Sequence, residues 1–232
     1  MGAVLEDRAL RAVRSEASII RAASCRTPVR TLRLSPPERV AIAVAIALLA
    51  LHAFAPGDAL EYQRDALARQ PWRVLTGHLV HVNWPHALIN AAALWIVARL
   101  YAPDLSATRQ AIALAASALA ISAALAWLYP SVEWYRGLSG ALHGLFFAGA
   151  SSWLLTERPR SLRRLWLPAA LFAGGWAKVV FEQPYNGALP HADWLGTAIV
   201  PQAHLAGAAC GTALGALFAA AKARAGEQRH EQ

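Results

Sequence analysis

Tyr135-Arg136-Gly137-Leu138-Ser139-Gly140-Ala141-Leu142-His143-Gly144 is a polar, glycine-laced entry into an apolar run that continues through Phe146, Phe147 and Leu155. A hydroxyl at the head of a membrane-length helix is costly unless something pairs with it. Further along, Ala203-His204-Leu205-Ala206-Gly207 opens a second helix of small residues. One candidate nucleophile, Ser139, and one candidate base, His204, thus stand in apolar surroundings.

The setting follows from composition. Of 232 residues 56% are hydrophobic and only 16% charged, against roughly a quarter charged in a soluble domain. Six apolar segments stand out, at about 40–55, 84–101, 107–129, 139–155, 165–181 and 195–219, several near the ~17–25 residues a spanning helix needs. An all-α, six-span membrane bundle is the fold expected. The net charge of +8 raises the question of nucleic acid, and its distribution answers it. Most of the Lys and Arg lie before the first span, at the second turn (Arg99, Arg109), in Arg158–Arg164 and in the tail, leaving Arg64, Arg69, Arg73, Arg136 and Lys178 toward the other side. That bias orients both termini to the inside, so the lipid bilayer is the partner of the basic excess and nucleic acid is not.

The chain divides into a basic cytoplasmic leader at 1–39, a six-helix domain at 40–221 and a short cytoplasmic tail at 222–232. The leader has arginines at 8, 11, 14, 21, 26, 30, 33 and 39, and Pro36-Pro37 would end any helix begun upstream. A poorly ordered tail and a short amphipathic helix on anionic lipid both fit it. It has no apolar core with a small-residue cleavage site, so it is not read as a signal peptide. Met1 is the only methionine, so a start assigned too early would leave no internal Met to betray it. Cys25 and Cys210 have neither a partner nor metal-ligand spacing.

Between the first two spans, 56–83 is long enough to have structure of its own. Leu60–Leu67 is expected as an interfacial helix and Trp72-Arg73 as a headgroup-level anchor. His78 and His81 could line a cavity on the outer side or serve structurally. Asn83 is a candidate N-cap, with Pro85 in the first turn. His86 and Asn90, four apart, share one helix face, as cavity-lining groups or as packing residues bonded to neighbours. The third span reads as scaffold, and Lys178 with Glu182 as an i, i+4 salt bridge of architectural role. The segment 185–196 is a candidate mobile cap. His204, Gly207, Gly211 and Gly215 form a stripe that lets backbones approach; Gly140 and Gly144 offer the same, so the helices of Ser139 and His204 are expected to touch.

A histidine within hydrogen-bond reach makes a serine nucleophilic by accepting its proton. With no carboxylate assigned to His204, the arrangement expected is a dyad. The oxyanion formed on an amide needs donors aimed at it: backbone N–H groups around Ser139, the Asn90 amide and His86. His81, His143, Gly137 and Gly140 are candidates for cavity or support. No metal and no cofactor is required.

These residues carry a resemblance. The chain resembles the rhomboid intramembrane serine proteases over roughly 40–220: Gly137-Leu138-Ser139-Gly140 is similar to the G-x-S-G nucleophile motif, His204 with Gly207 and Gly211 to the histidine motif, and His86-x-x-x-Asn90 to the second-helix pair. Trp72-Arg73 and His81 are similar to the family's first-loop and second-helix entry. Gly137–Gly144, Thr76-Gly77-His78-x-x-His81-x-Asn83-Trp84 and Lys178 followed by Glu182-Gln183 look like the rhombosortase subgroup. The resemblance implies a serine endopeptidase of the bacterial inner (plasma) membrane, opening to the periplasmic side. Its implied partner is an exported protein anchored by a C-terminal transmembrane tail, with a glycine-containing motif before the helix and basic residues after it. The long leader departs from that subgroup's compact pattern. A catalytically silent rhomboid-like binder of membrane helices is the alternative, set aside because both Ser139 and His204 are present. A small transporter is disfavoured by the lack of mid-span acidic residues and of an inverted repeat.

Overall fold

The computed structural model describes residues 33–156, 162–183 and 199–230. Among the described residues six helices have 17 residues or more: α1 Pro36–Phe54, α4 Trp84–Leu100, α5 Ala107–Trp127, α6 Ser139–Thr156, α7 Leu162–Glu182 and α8 Pro201–His230. Two single-turn helices, α2 Gly57–Leu60 and α3 Arg73–Thr76, lie between α1 and α4. Three helices, α1, α5 and α8, are long and apolar enough to cross a membrane by length and composition. The others fall short for different reasons: α4 has only 17 residues, α6 is interrupted by glycines, serines and His143, and α7 contains Pro168, Lys178 and Glu182. Protein rather than lipid covers much of α6, where Leu142, Leu145, Phe147, Ala148 and Ala150 are buried.

Local chemistry sets the helix ends. Pro36 and Pro37 begin α1, so the span starts ahead of the expected residue 40; any helix upstream for them to end would lie outside the described residues. Ser35 and Glu38 form a capping box, with Ser35 N–H donating to Glu38 Oε2 at 2.9 Å. Glu38 also takes Arg99 Nη1 at 2.6 Å, tying α1 to the end of α4. Asn83 caps α4 as its sequence indicates, its Oδ1 accepting His86 N–H at 2.9 Å. The guanidinium of Arg64 closes the other end of α5, donating to the carbonyls of Leu125, Ala126 and Tyr129, where a helix leaves acceptors and partial negative charge.

The segment between α1 and α4 differs from expectation. The helix comes early, at Gly57–Leu60, and Leu60–Leu67 is instead a two-residue strand β1, Tyr62–Gln63, followed by a 3-10 turn at Arg64–Ala66. β1 pairs antiparallel with β2, Trp134–Tyr135, in register Tyr62 to Tyr135. Trp72 is half exposed, but Arg73 is 5% exposed and donates to the carbonyls of Asp58 and Glu61 at 2.9 and 2.7 Å. Arg73 is therefore a strut, its multivalent guanidinium satisfying loop carbonyls that would otherwise lack a donor. Arg136 ties β2 back to the same loop through Glu61 and Asp58.

The core of the fold is the contact of α6 with α8, flanked by α5 and α7. A Cβ built on Gly207 would stand 2.1 Å from Gly140 O, and one on Gly211 2.1 Å from Gly144 O. α8 continues as helix through 222–230. The leader to residue 32, the basic loop at 157–161 and the expected cap at 185–196 lie outside the described residues.

Gly211→Ala is expected to lower stability by about 1–3 kcal/mol or more through overpacking and to reduce any activity. Gly226→Ala, which meets nothing within 4 Å, should be neutral or gain about 0.5–1 kcal/mol. Thermal unfolding in detergent checks the pair; indistinguishable variants would contradict the packing described.

Candidate active site

Three helix ends meet at the site. Ser139 is the first residue of α6, Glu182 the last of α7, and His204 stands in the first turn of α8. The entry to Ser139 is fixed from behind. Gly137 N–H donates to Gly77 O at 3.0 Å, Tyr135 Oη donates to Gly137 O at 2.6 Å, and Leu138 N–H approaches His81 Nε2 at 3.5 Å. Gly137 has φ +125°, and an added Cβ would stand 2.7 Å from His86 Cε1. Only glycine fits both demands.

His204 Nε2 lies 3.0 Å from Ser139 Oγ. On its other edge, Nδ1 lies 2.9 Å from Glu182 Oε2. The sequence presents Glu182 as an architectural partner of Lys178, and that pair exists, with Oε1 to Nζ at 2.6 Å. The expectation that no carboxylate serves His204 is nevertheless incorrect. Lys178 and Glu182, one turn apart, bring the carboxylate to the end of α7, where its second oxygen reaches across to α8. The sequence does hold a usable signal: the glycine stripes bring α6 against α8, and an acidic residue at the same end of the intervening helix falls beside them.

His143 Nδ1 is 2.8 Å from Ser139 O, one turn back along α6, and its Nε2 is 3.0 Å from Lys178 Nζ. Since a carbonyl and an ammonium flank it, Nδ1 donates and Nε2 accepts. Its ring stacks on His204, with centroids 4.1 Å apart and planes 18° apart. His143, Glu182 and His204 offer ligand atoms within 4.8 Å of one another. The Lys178 ammonium, bonded to two of the three, already supplies a cation, and parallel stacked rings direct their in-plane lone pairs past a common point. The cluster is read as a hydrogen-bonded network rather than a metal centre.

Ser139 opens in two directions. Toward the loops it lines a cavity of about 520 Å³ with His86, Tyr135, Arg136 and Gln202. On its other side it lines an apolar cleft of about 320 Å³ between α4 and α7, with Asn90, Leu142 and Phe146. His86 and Asn90 thus border the serine from one helix. The Asn90 amide has two N–H donors, of which one bonds His86 O at 2.9 Å. Gly140 packs α6 against Ala203 O of α8. His78 points elsewhere, its Nε2 3.1 Å from Ser122 Oγ, which itself donates to Val74 O. It braces α3 against α5 and does not border Ser139.

Residues 68–221, more than half of the chain, match the family model of the Rhomboid domain. No curated protein matches the chain.

His78 and His81 give the fold a pH dependence. Burial pushes His78 down to about 4; burial, then the neighbouring His86 and His52, pushes His81 down to about 3. Unfolded, both take protons near pH 6.5. The folded state therefore binds fewer protons between those values and 6.5, so the stability they contribute is complete above 6.5 and falls as the solution is acidified. The free energy of unfolding measured from pH 7.5 to 4.5 should drop with a slope of up to about 1.4 kcal/mol per pH unit for each histidine. A flat profile would contradict their buried, neutral state.

Proposed function

The chain belongs to the rhomboid family of intramembrane serine proteases, and we propose that it is an active endopeptidase using Ser139 as nucleophile and His204 as general base. The observation that carries this reading is the 3.0 Å contact of His204 Nε2 with Ser139 Oγ, at the junction of a cavity of mixed polar and apolar lining and an apolar cleft. The cavity supplies water; the cleft offers a substrate helix a way in from the bilayer.

The chemistry follows from that geometry. As Ser139 Oγ bonds to the scissile carbonyl carbon, its proton passes to His204 Nε2 and the carbonyl electrons move onto oxygen. The first-turn N–H groups of α6, from Ser139 to Ala141, have no intrahelical acceptor and sit at the positive end of a helix dipole. With the Asn90 amide and His86 they are the donors for the oxyanion. Collapse of this intermediate breaks the C–N bond, and the proton on His204 goes to the leaving amine. Water then attacks the ester, its proton taken by His204, which returns it to Ser139 as the acid product leaves.

The six long helices span the membrane, with both termini inside and the site toward the periplasmic face of a bacterial inner membrane. The substrate is a single-pass or C-terminally anchored exported protein. The motifs at 76–84, 137–144 and 178–183 favour the rhombosortase subgroup, and with it removal of a tail made of a glycine motif, a transmembrane helix and basic residues. A glycine-rich scissile segment suits this site because an extended small-residue chain can enter between α4 and α7 with little side-chain bulk.

Co-expression with an exported reporter bearing such a tail tests the reading. Wild type should release the reporter, and Ser139→Ala and His204→Ala should each abolish release. Asn90→Ala should lower kcat by about 10²-fold in a protein that still folds. Cleavage undiminished in Ser139→Ala would overturn the assignment. A generic rhomboid substrate cut while the tailed reporter stays intact would remove the subgroup alone, and failure on both would favour the silent binder.

A further inference from the structure

We propose that Glu182 is the positioning residue of this site, holding His204 in the tautomer whose Nε2 lone pair faces Ser139. The inference rests on the proteolytic reading above and extends its dyad by one member.

A neutral imidazole carries its proton on one nitrogen or the other, and the hydrogen bond made by one decides the role of its opposite. Left alone, His204 could put the proton on Nε2, where it would donate to Ser139 Oγ and be unable to accept from it. A carboxylate only accepts. With Glu182 Oε2 2.9 Å from Nδ1, the ring proton is drawn to Nδ1 and Nε2 is left free to take the serine proton. The same carboxylate faces the imidazolium once that proton has moved. The Nδ1 proton stays on the ring throughout, so Glu182 neither gains nor loses one.

The surrounding groups fit this role better than a purely architectural one. An ion pair that only reinforced α7 would be complete with Lys178 Nζ on Oε1 at 2.6 Å. Here the second oxygen is committed to another helix, and Glu182 and His204 are both 5% exposed. His143, from α6, closes the network: it accepts from Lys178 at 3.0 Å, donates to Ser139 O at 2.8 Å and stacks on the His204 ring. Rotation of His204 away from Ser139 is thus opposed on its face by His143 and on its edge by Glu182.

Lys178 makes the proposal sharply testable. In Glu182→Gln the side chain keeps its size, but Lys178 holds the amide oxygen and turns the NH₂ group toward His204. Nδ1 must then accept, which enforces the wrong tautomer. Removing the ammonium frees the amide to rotate and offer its oxygen to Nδ1. In the full-length protein in detergent, Glu182→Gln should lower kcat by about 10²–10⁴-fold, with KM within about twofold. Lys178→Met alone, which leaves Glu182 on His204, should stay within about tenfold of wild type. The double variant Glu182→Gln with Lys178→Met should recover at least about tenfold over Glu182→Gln. Ser139→Ala serves as the control, and melting temperatures report folding.

If Ser139→Ala is inactive while Glu182→Gln cuts like wild type, the positioning role is wrong and the dyad stands. If Ser139→Ala still cuts, the proteolytic assignment itself fails. A double variant weaker than Glu182→Gln, or a Lys178→Met as damaged as Glu182→Gln, would show that the ion pair matters only for architecture. Should Glu182→Gln not fold, the ¹⁵N chemical shifts of the His204 ring in the wild-type protein decide: a proton on Nδ1 supports the role and a proton on Nε2 overturns it.

Discussion

The backbones of α6 and α8 lie so close that no side chain can stand between them at Gly140 and Gly207, or at Gly144 and Gly211. In lipid there is no gain from hiding apolar surface from water, so helices are held by van der Waals contact and by the polar bonds that close approach allows. Here the approach has a further consequence. Ser139 and His204 each lie one residue or one turn from a glycine of this seam, so the separation of their helices fixes the separation of their side chains. The 3.0 Å contact between them depends on a stripe of residues that do no chemistry.

A polar cluster beside that seam must satisfy itself, since unpaired polar groups are expensive away from water. Ser139, His143, Lys178, Glu182 and His204 bond one another across α6, α7 and α8. The entry to Ser139 is held by a second set, in which Gly77, His81 and Tyr135 position the turn at Gly137. Arg73 and Arg136 then lock the loop that carries that set. The pieces around the serine are therefore built as supports, each paired with a neighbour from a different stretch of the sequence.

Much of this is readable without coordinates. Asn83 with Pro85 announces the start of α4, the glycine spacing announces which two helices touch, and Ser139 and His204 stand out as polar groups in apolar runs. Other features are hidden for identifiable reasons. Lys178 and Glu182 satisfy each other at i, i+4, so nothing local shows that one oxygen of Glu182 is turned to a helix more than twenty residues away. Arg73 beside Trp72 has the composition of an interfacial anchor, and only its carbonyl partners reveal a strut. β1 and β2 are two residues each, too short for any alternation to register. Pro36-Pro37 can stop one helix or start another, and the capping box at Ser35 shows the start of α1.

The central claim is that His204 activates Ser139 in the folded membrane protein. Its most direct test is covalent: reaction of the purified protein with a fluorophosphonate probe, followed by peptide mass spectrometry to locate the adduct. The account predicts an adduct on Ser139 that is lost in His204→Ala. An unlabelled wild-type protein, an adduct on another serine, or labelling of Ser139 that survives removal of His204 would contradict it.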